Sequence, residues 1–527
     1  MVHEMCDSPV QQDTRYDRQI RLWGDHGQTA LENAHVLVAG VNTTSCEAVK
    51  SLILPGVGRI TLLDHHVVDK EAISSNFFLS KADLGRNCAE AVISDISELN
   101  PAVKMEYDDR NIEEVIKTSG PEFFQSFTIV LCSKIESKTR RQLEELLFPL
   151  KIPLVLAEST GMFGRIRLFF KEHFIMEGKK DHTVPDLRLD CPFPELNDYL
   201  RSFDLSSMDD FNHKHVPMIV PLFAALEEWR NENGREMPNF KGKKEIQTKI
   251  NRLRRAPDEE NFDEAVAAVN TMVGGTKMPA DIVNLFNHCK EFTEKSVTPD
   301  SPMHWIIFKA LSNYVSNNSG MLPQDPKIPD MFSDTNSFVR LSKIYREKAA
   351  IDVADFQSEL KNICSSIGVQ MPEDKLIARF CSNCRGAKAV FGSIESFDRR
   401  LPEHLRINDE SIHIYLLFEV SLGLEKQFSR YPGTDDMIMI DGTKKDADRM
   451  EFFANKITKP VESDFDIDHD LIDEFLRLSG LELNSVATYM AGLAAQETIK
   501  LITRQFIPIN NTVTYNAITE ELKTFIL

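Results

Sequence analysis

The residues with the clearest chemical potential lie between Val36 and Asp64. An apolar run over 36–39 stops at Gly40. The loop Gly40, Val41, Asn42, Thr43, Thr44, Ser45 follows and opens a helical spacing of Cys46, Val49 and Ile53, which ends at Pro55-Gly56. A second apolar run, 59–63, closes on Asp64. Strand, tight turn, helix and strand, with an acid ending the second strand, is the order of a nucleotide-binding βαβ unit. In such units the helix N-terminus takes a phosphate and the acid a ribose. The loop chemistry disagrees. A G-x-G-x-x-G turn works because missing side chains let backbone N–H groups approach the anion. Here only the first place is glycine, Gly40; Asn42 and Ser45 stand at the second and third, and Val41, Thr43 and Thr44 add branched bulk. The fold signal survives while the binding signal is damaged.

Other chemical candidates are few. Arg18, taken alone, reads as a solvated arginine. Cys381-Ser-Asn-Cys384 is a C-x-x-C pair with no second pair at zinc spacing, so it reads as structural. A nucleophilic cysteine needs a lowered pKa and access, and none of the nine cysteines sits in a recognisable activating setting.

The elements that must position these residues follow from periodicity. Tyr16, Ile20 and Trp23 fit one helical face before a Gly24-Asp25 turn, and 28–33 reads as a second short helix. After Asp64, Asp83-Leu-Gly85 precedes a helix running to Leu99. Strands are expected at 103–107, 127–132, 153–158 and 165–171, with a helix near 139–147. Alternating strands and helices imply an α/β, Rossmann-like, doubly wound and mainly parallel sheet. From about His173 the pattern becomes helical: 221–231, 260–272, 305–315, 338–367, 412–428 and 447–457, with 241–255 as a solvated helix face. A helix capped by Asn484 follows, then strands at 506–509 and 512–516 paired around Asn510-Asn511. The expected organisation is residues 1–172 as the first part of a sheet domain, 173–483 as a large, mostly helical insertion, and 484–527 as the return to the sheet domain. Residues 328–332 form an extended, proline-bracketed apolar piece that either packs internally or presents Met331 and Phe332 to a partner.

Composition narrows the function classes. A formal charge of −20 over 527 residues argues against nucleic-acid and membrane surfaces, which favour Lys and Arg. The odd, irregular cysteines and the lack of an apolar leader near Met1 imply a reduced cytoplasmic or nuclear chain. No apolar run in the sequence is long enough for a membrane helix.

The motifs in combination go further. Tyr16-x-Arg18-Gln19, the strand ending at Gly40, Gly56-x-Gly58 with Asp64, Asp83-Leu-Gly85 and Ala495-Gln-Glu-x-Ile-Lys500 resemble the activating enzymes of ubiquitin-like proteins. DRQIRLWGDHGQ, SNFFLS, LRLDCPFPEL, the run from Glu259 to Glu264, IPDM, IYREKA and SRYPG are similar to the regulatory subunits of the heterodimeric members that serve neddylation. The resemblance implies a pseudo-adenylation domain. Where active members carry the glycine loop, a second aspartate, a phosphate-binding Asn and Arg, a Lys and a magnesium-binding Asp, this chain has Asn42 and Ser45, His66, Ala72 and Ser75, Cys88 and Lys134. Asp64 then reads as a strand-end hydrogen-bonding residue. No cofactor and no metal are assigned to this chain; ATP and magnesium belong to a catalytic partner subunit. The implied further partners are a ubiquitin-like modifier and a conjugating enzyme. By the same resemblance the insertion matches the domain that bears the catalytic cysteine in active members, and Arg18 reaches in trans to the partner's nucleotide. Ile328, Met331, Phe332 and Phe338 are expected at the partner interface. The alternatives are a self-sufficient adenylating enzyme, an NAD-dependent oxidoreductase, and a scaffold or signalling adaptor in which Arg18 contributes nothing.

Overall fold

A computed structural model describes residues 14–176, 186–234, 236–293, 297–392, 396–428, 430–433, 442–478 and 480–527. Residues 1–13 and Pro185 lie outside them. The chain divides into two compact units, one of residues 1–173 with 390–527 and the other of 174–389.

The first unit is built on β1 (His35–Ala39), β2 (Arg59–Leu63), β3 (Lys104–Asp108), β4 (Ile129–Cys132), β5 (Leu154–Thr160) and β6 (Phe163–Phe169). The chain leaves through β7 (Glu172–Ile175), returns through β8 (Lys388–Phe391), and ends in β9 (Thr512–Asn516) and β10 (Glu521–Phe525). The sheet order is β10-β9-β6-β5-β4-β1-β2-β3. Strands β1 to β5 are parallel, and β6, β9 and β10 add antiparallel edges.

The continuous apolar runs are explained by cover on both faces. Val36 and Val38 of β1 join Ile129 and Leu131 of β4 in one core. Leu37, Ala39, Val130 and Cys132 point into the opposite core. The helices α1 (Asp17–Glu32), kinked at Gly24, and α2 (Thr43–Ile53) lie on the first face. The helix Asn484–Thr503 packs there through Met490, Ala491, Ala494 and Ala495.

In the sheet unit three expectations change. The first concerns the return to the sheet unit, which begins at residue 390 rather than 484. The helix Glu410–Phe428 is held to the sheet by a buried charge network. Glu419 accepts hydrogen bonds from Arg165 of β6, from Arg140 of the helix Ser137–Leu150, and from Ser137 (2.6 Å). Arg165 also bonds Glu158 of β5 (2.9 Å) and stacks on Tyr415 and Phe418. Burial pushes the Glu419 carboxyl up, but the two guanidinium groups outweigh it and hold it well below the usual range. Second, Asn484 does not cap its helix. Leu483 occupies that place, while the Asn484 amide donates to the Ser75 carbonyl (3.2 Å). Third, 506–509 is not a strand: the N–H of Ile509 is taken by the Glu497 carboxylate (2.8 Å), and β9 pairs with β10 instead.

The second unit is helical. Its longest helix, Thr335–Ile367, gives Leu341 and Tyr345 to one apolar core and Phe356, Leu360 and Cys364 to another. The helix Phe240–Leu253 is less solvated than its charge suggests: Ile246 and Ile250 are buried, and Lys249 is held by Glu228 and Glu232.

Removing one member of a buried ionic network leaves its partners charged and unpaired, at a cost of about 3–5 kcal/mol. Glu419→Leu is therefore expected to lower stability to urea by about 3 kcal/mol. A loss below about 1 kcal/mol would mean that Glu158 and Glu144 suffice for the two arginines.

Candidate functional site

The parallel strands β2, β1 and β4 end side by side, and the chain crosses in opposite directions from β1 to its two neighbours. Doubly wound sheets open a crevice at such a switch point. A cavity of about 840 Å³ lies there, lined by Gly40, Asn42, Asp64, His66, Ala72, Ser75, Cys88, Lys134 and Glu482 among others. The positions matched to the nucleotide-binding residues of active members thus meet in one place, except Ser45, which is turned into the helix cap.

Gly40 makes the turn possible. Its φ is +86°, and a Cβ there would stand 2.2 Å from the Ser133 carbonyl oxygen. Asn42 then caps α2 with a reciprocal box: its side chain accepts from the Ser45 N–H (3.0 Å), and the Ser45 hydroxyl accepts from the Asn42 N–H (2.8 Å). The next free donors are the N–H groups of Thr43 and Thr44, the pair a phosphate would take. Both donate to the carboxylate of Glu482, at 2.9 and 3.3 Å, and the Thr44 hydroxyl adds a third bond at 2.7 Å. Glu482 is 7% exposed. Lys134 Nζ stands 3.9 Å from the same carboxylate and 3.4 Å from the Gly480 carbonyl oxygen. The anion at this helix start is the chain's own.

Asp64 is equally engaged. Its carboxylate, 5% exposed, accepts from the Val41 N–H (2.6 Å), the His66 N–H (2.9 Å) and His66 Nδ1 (2.6 Å). Burial pushes its pKa up, yet the His66 ring and these N–H groups prevail and hold it below the usual carboxylate range. The same bond to Asp64 raises the His66 pKa. Asp64 therefore does the strand-end work that the sequence suggested.

Arg18 does not line this cavity. It is exposed on α1 and makes no hydrogen bond or ion pair among the described residues. Its neighbours explain why. Gln19 donates to the Pro55 carbonyl (2.8 Å) and to Gln28 (2.9 Å), and the Tyr16 hydroxyl accepts from Asn100 (2.9 Å). Tyr16 and Gln19 moor the segment to the end of α2 while Arg18 faces solvent.

The thiols are mostly shut away. Burial pushes Cys46, Cys88 and Cys384 up to about 12 and also raises Cys132, Cys364 and Cys381. Cys381 and Cys384 are unlinked and sit in a core of the helical unit, as a structural pair would. Cys191 is exposed, Cys6 lies outside the described residues, and nothing is described of the Cys289 side chain. Of the residues expected at a partner interface, Ile328 and Met331 lie against the helical unit's own core, and Phe332 stacks on His215. These three and Phe338 are half-buried.

Nothing in the sequence singles out Glu482. It stands two residues before a helix, in no motif, 439 positions from its first bonding partner.

A mainly parallel sheet with a cavity at its switch point, and a helix start facing that cavity, defines an α/β domain of the nucleotide-binding class. A profile of the ThiF family matches residues 16–527. The chain is 33% identical to the NEDD8-activating enzyme E1 regulatory subunit of Danio rerio, covering 99% of this chain and 100% of that protein. It is 34% identical to the protein of that name from Xenopus laevis (97% and 98% covered) and 34% identical to that from Drosophila melanogaster (97% and 96%). The chain belongs to the ThiF family and, within it, to the NEDD8-activating enzyme E1 regulatory subunits.

Glu482→Ala removes the acceptor of two helix-start N–H groups, a change that costs about 1–2 kcal/mol at a cap. Amide exchange over α2 is expected to quicken by roughly 5–30-fold, the factor equivalent to that energy. Unchanged exchange would mean that water replaces the carboxylate without loss.

Proposed function

We propose that this chain is the catalytically inactive, regulatory subunit of a heterodimeric NEDD8-activating enzyme. Its catalytic partner binds ATP and magnesium, adenylates the C-terminal carboxylate of the ubiquitin-like modifier, and carries the modifier onward as a thioester toward a conjugating enzyme. The observation that carries the reading is the occupation of the α2 start by Glu482, with Asp64 committed to Val41 and His66. A nucleotide entering this cavity would have to expel a buried carboxylate and place its phosphates beside it. The positions that would supply cations to a polyphosphate instead carry Ala72, Ser75 and Cys88, and phosphoryl chemistry depends on such positive donors.

The contribution proposed for this chain is structural completion of the dimer plus one side chain. In adenylation the modifier's carboxylate oxygen attacks the α-phosphorus and the bond to pyrophosphate breaks, so negative charge moves along the leaving group. A guanidinium held near that charge stabilises the transition state more than the ground state. Arg18 suits this role, since it is exposed and its segment is fixed by Tyr16 and Gln19. A planar guanidinium also matches phosphate oxygens better than an ammonium does.

The test is modifier-dependent pyrophosphate exchange by the reconstituted heterodimer at saturating ATP. Arg18→Ala should leave assembly intact and slow exchange by roughly ten- to a thousand-fold, the range for one preorganised donor. Arg18→Lys should restore part of the rate. A wild-type rate from the alanine variant, with assembly verified, leaves the chain a scaffold.

A further inference from the structure

The cavity holds one cluster of potential metal-ligating side chains to which the proposed function gives no ligand role. Asp64, His65 and His66 are consecutive at the end of β2, and one ligand atom from each lies within 4.8 Å of the others. Asp64 Oδ1 is 2.6 Å from His66 Nδ1 and 3.8 Å from His65 Nδ1. The two imidazoles lie against each other, with centroids 4.0 Å apart and planes tilted by 45°. We propose that Asp64, His65 and His66 form a binding site for a divalent transition metal of the zinc class, open toward the cavity.

The geometry asks for little movement. Zinc binds imidazole nitrogen and carboxylate oxygen at about 2.0–2.2 Å, so two ligands at a tetrahedral angle stand about 3.4 Å apart. The separations of 2.6 and 3.8 Å bracket that value. Asp64 is the fixed member, held by the N–H groups of Val41 and His66. The histidine side chains, 44% and 69% exposed, are the members with room to adjust. Asn111 stands 3.2 Å from the far nitrogen of His65, the kind of outer contact that orients a ligating ring. The metal takes Nδ1 of His66 in place of the proton that bridges to Asp64.

The surrounding charge also favours a cation. Asp69 and Glu425 act on His66, and Glu113 acts on His65. Of the opposing lysines, Lys426 is paired with Glu113 and Glu136, and Lys134 stands beside Glu482. The donor set selects the metal. Two imidazoles and one carboxylate suit zinc, nickel or copper, whereas magnesium prefers an all-oxygen octahedron. The ligand is thus a different ion from the one ATP chemistry uses. Adjacent ligands would also clamp the loop after β2, which borders the cavity.

The experiment uses the full chain, stripped with a chelator and titrated calorimetrically with zinc chloride in parallel with its variants. The wild type should bind one zinc at this site with micromolar or tighter affinity. His65→Ala should weaken that step by at least tenfold, and His65→Ala with His66→Ala should abolish it while circular dichroism stays unchanged. Cobalt in place of zinc should give visible d–d bands without the near-ultraviolet thiolate charge-transfer band, which separates this site from an exposed cysteine. Equal uptake by the double variant and the wild type, no uptake by the wild type, or a thiolate band on the tight cobalt site would overturn the proposal.

Discussion

A helix that starts at the end of a strand exposes N–H groups that something must accept. In this chain the acceptor for Thr43 and Thr44 is Glu482, and much of the first unit depends on that contact. The carboxylate favours the positive end of α2 electrostatically. It also ties the segment before the helix Asn484–Thr503 to the start of α2, so that helix enters against α2 with its small residues inward. A helix start that binds phosphate must stay open to solvent. One that is answered by a buried side chain is free to act as a structural joint. The same sequence change, side chains in place of glycines, that closes the loop to phosphate gives Asn42 and Ser45 the atoms for their reciprocal cap.

Two kinds of charge serve two purposes. Arg140 and Arg165 are buried with Glu419 and Glu158 and fix the helix Glu410–Phe428 on the sheet. Such networks give little net stability over an apolar core but penalise any arrangement that separates their members. Arg18 is the reverse. It is exposed, and its neighbours rather than its own contacts fix its segment. The role proposed for Arg18 calls for that combination, because ordering the segment beforehand lowers the entropic cost of using it.

The first βαβ unit was legible because its strands are covered on both faces and therefore read as unbroken apolar runs, stopped by the one glycine the turn requires. The cavity was legible through positions that family resemblance picked out, since the fold gathers them at the strand ends. Glu482 was not, because its role comes from a contact across 439 positions and leaves no local pattern. The return at residue 390 was hidden for a similar reason. The helix Glu410–Phe428 is apolar over most of its surface, and its one buried acid gives no hint of which arginines it meets. At the C-terminus, 506–509 reads as a strand paired around Asn510-Asn511, but a side-chain acceptor, Glu497, takes its backbone donor, and the true edge strand β10 is too exposed to show a pattern.

Whether this chain keeps a nucleotide site decides between a regulatory subunit and a second adenylating one. Equilibrium dialysis of labelled ATP with magnesium against the assembled heterodimer counts the sites directly. One ATP per heterodimer, lost when the catalytic subunit's own site is disabled, is the result that follows from Glu482 holding the helix start. Two per heterodimer, or one that persists in this chain after the partner's site is disabled, would contradict it.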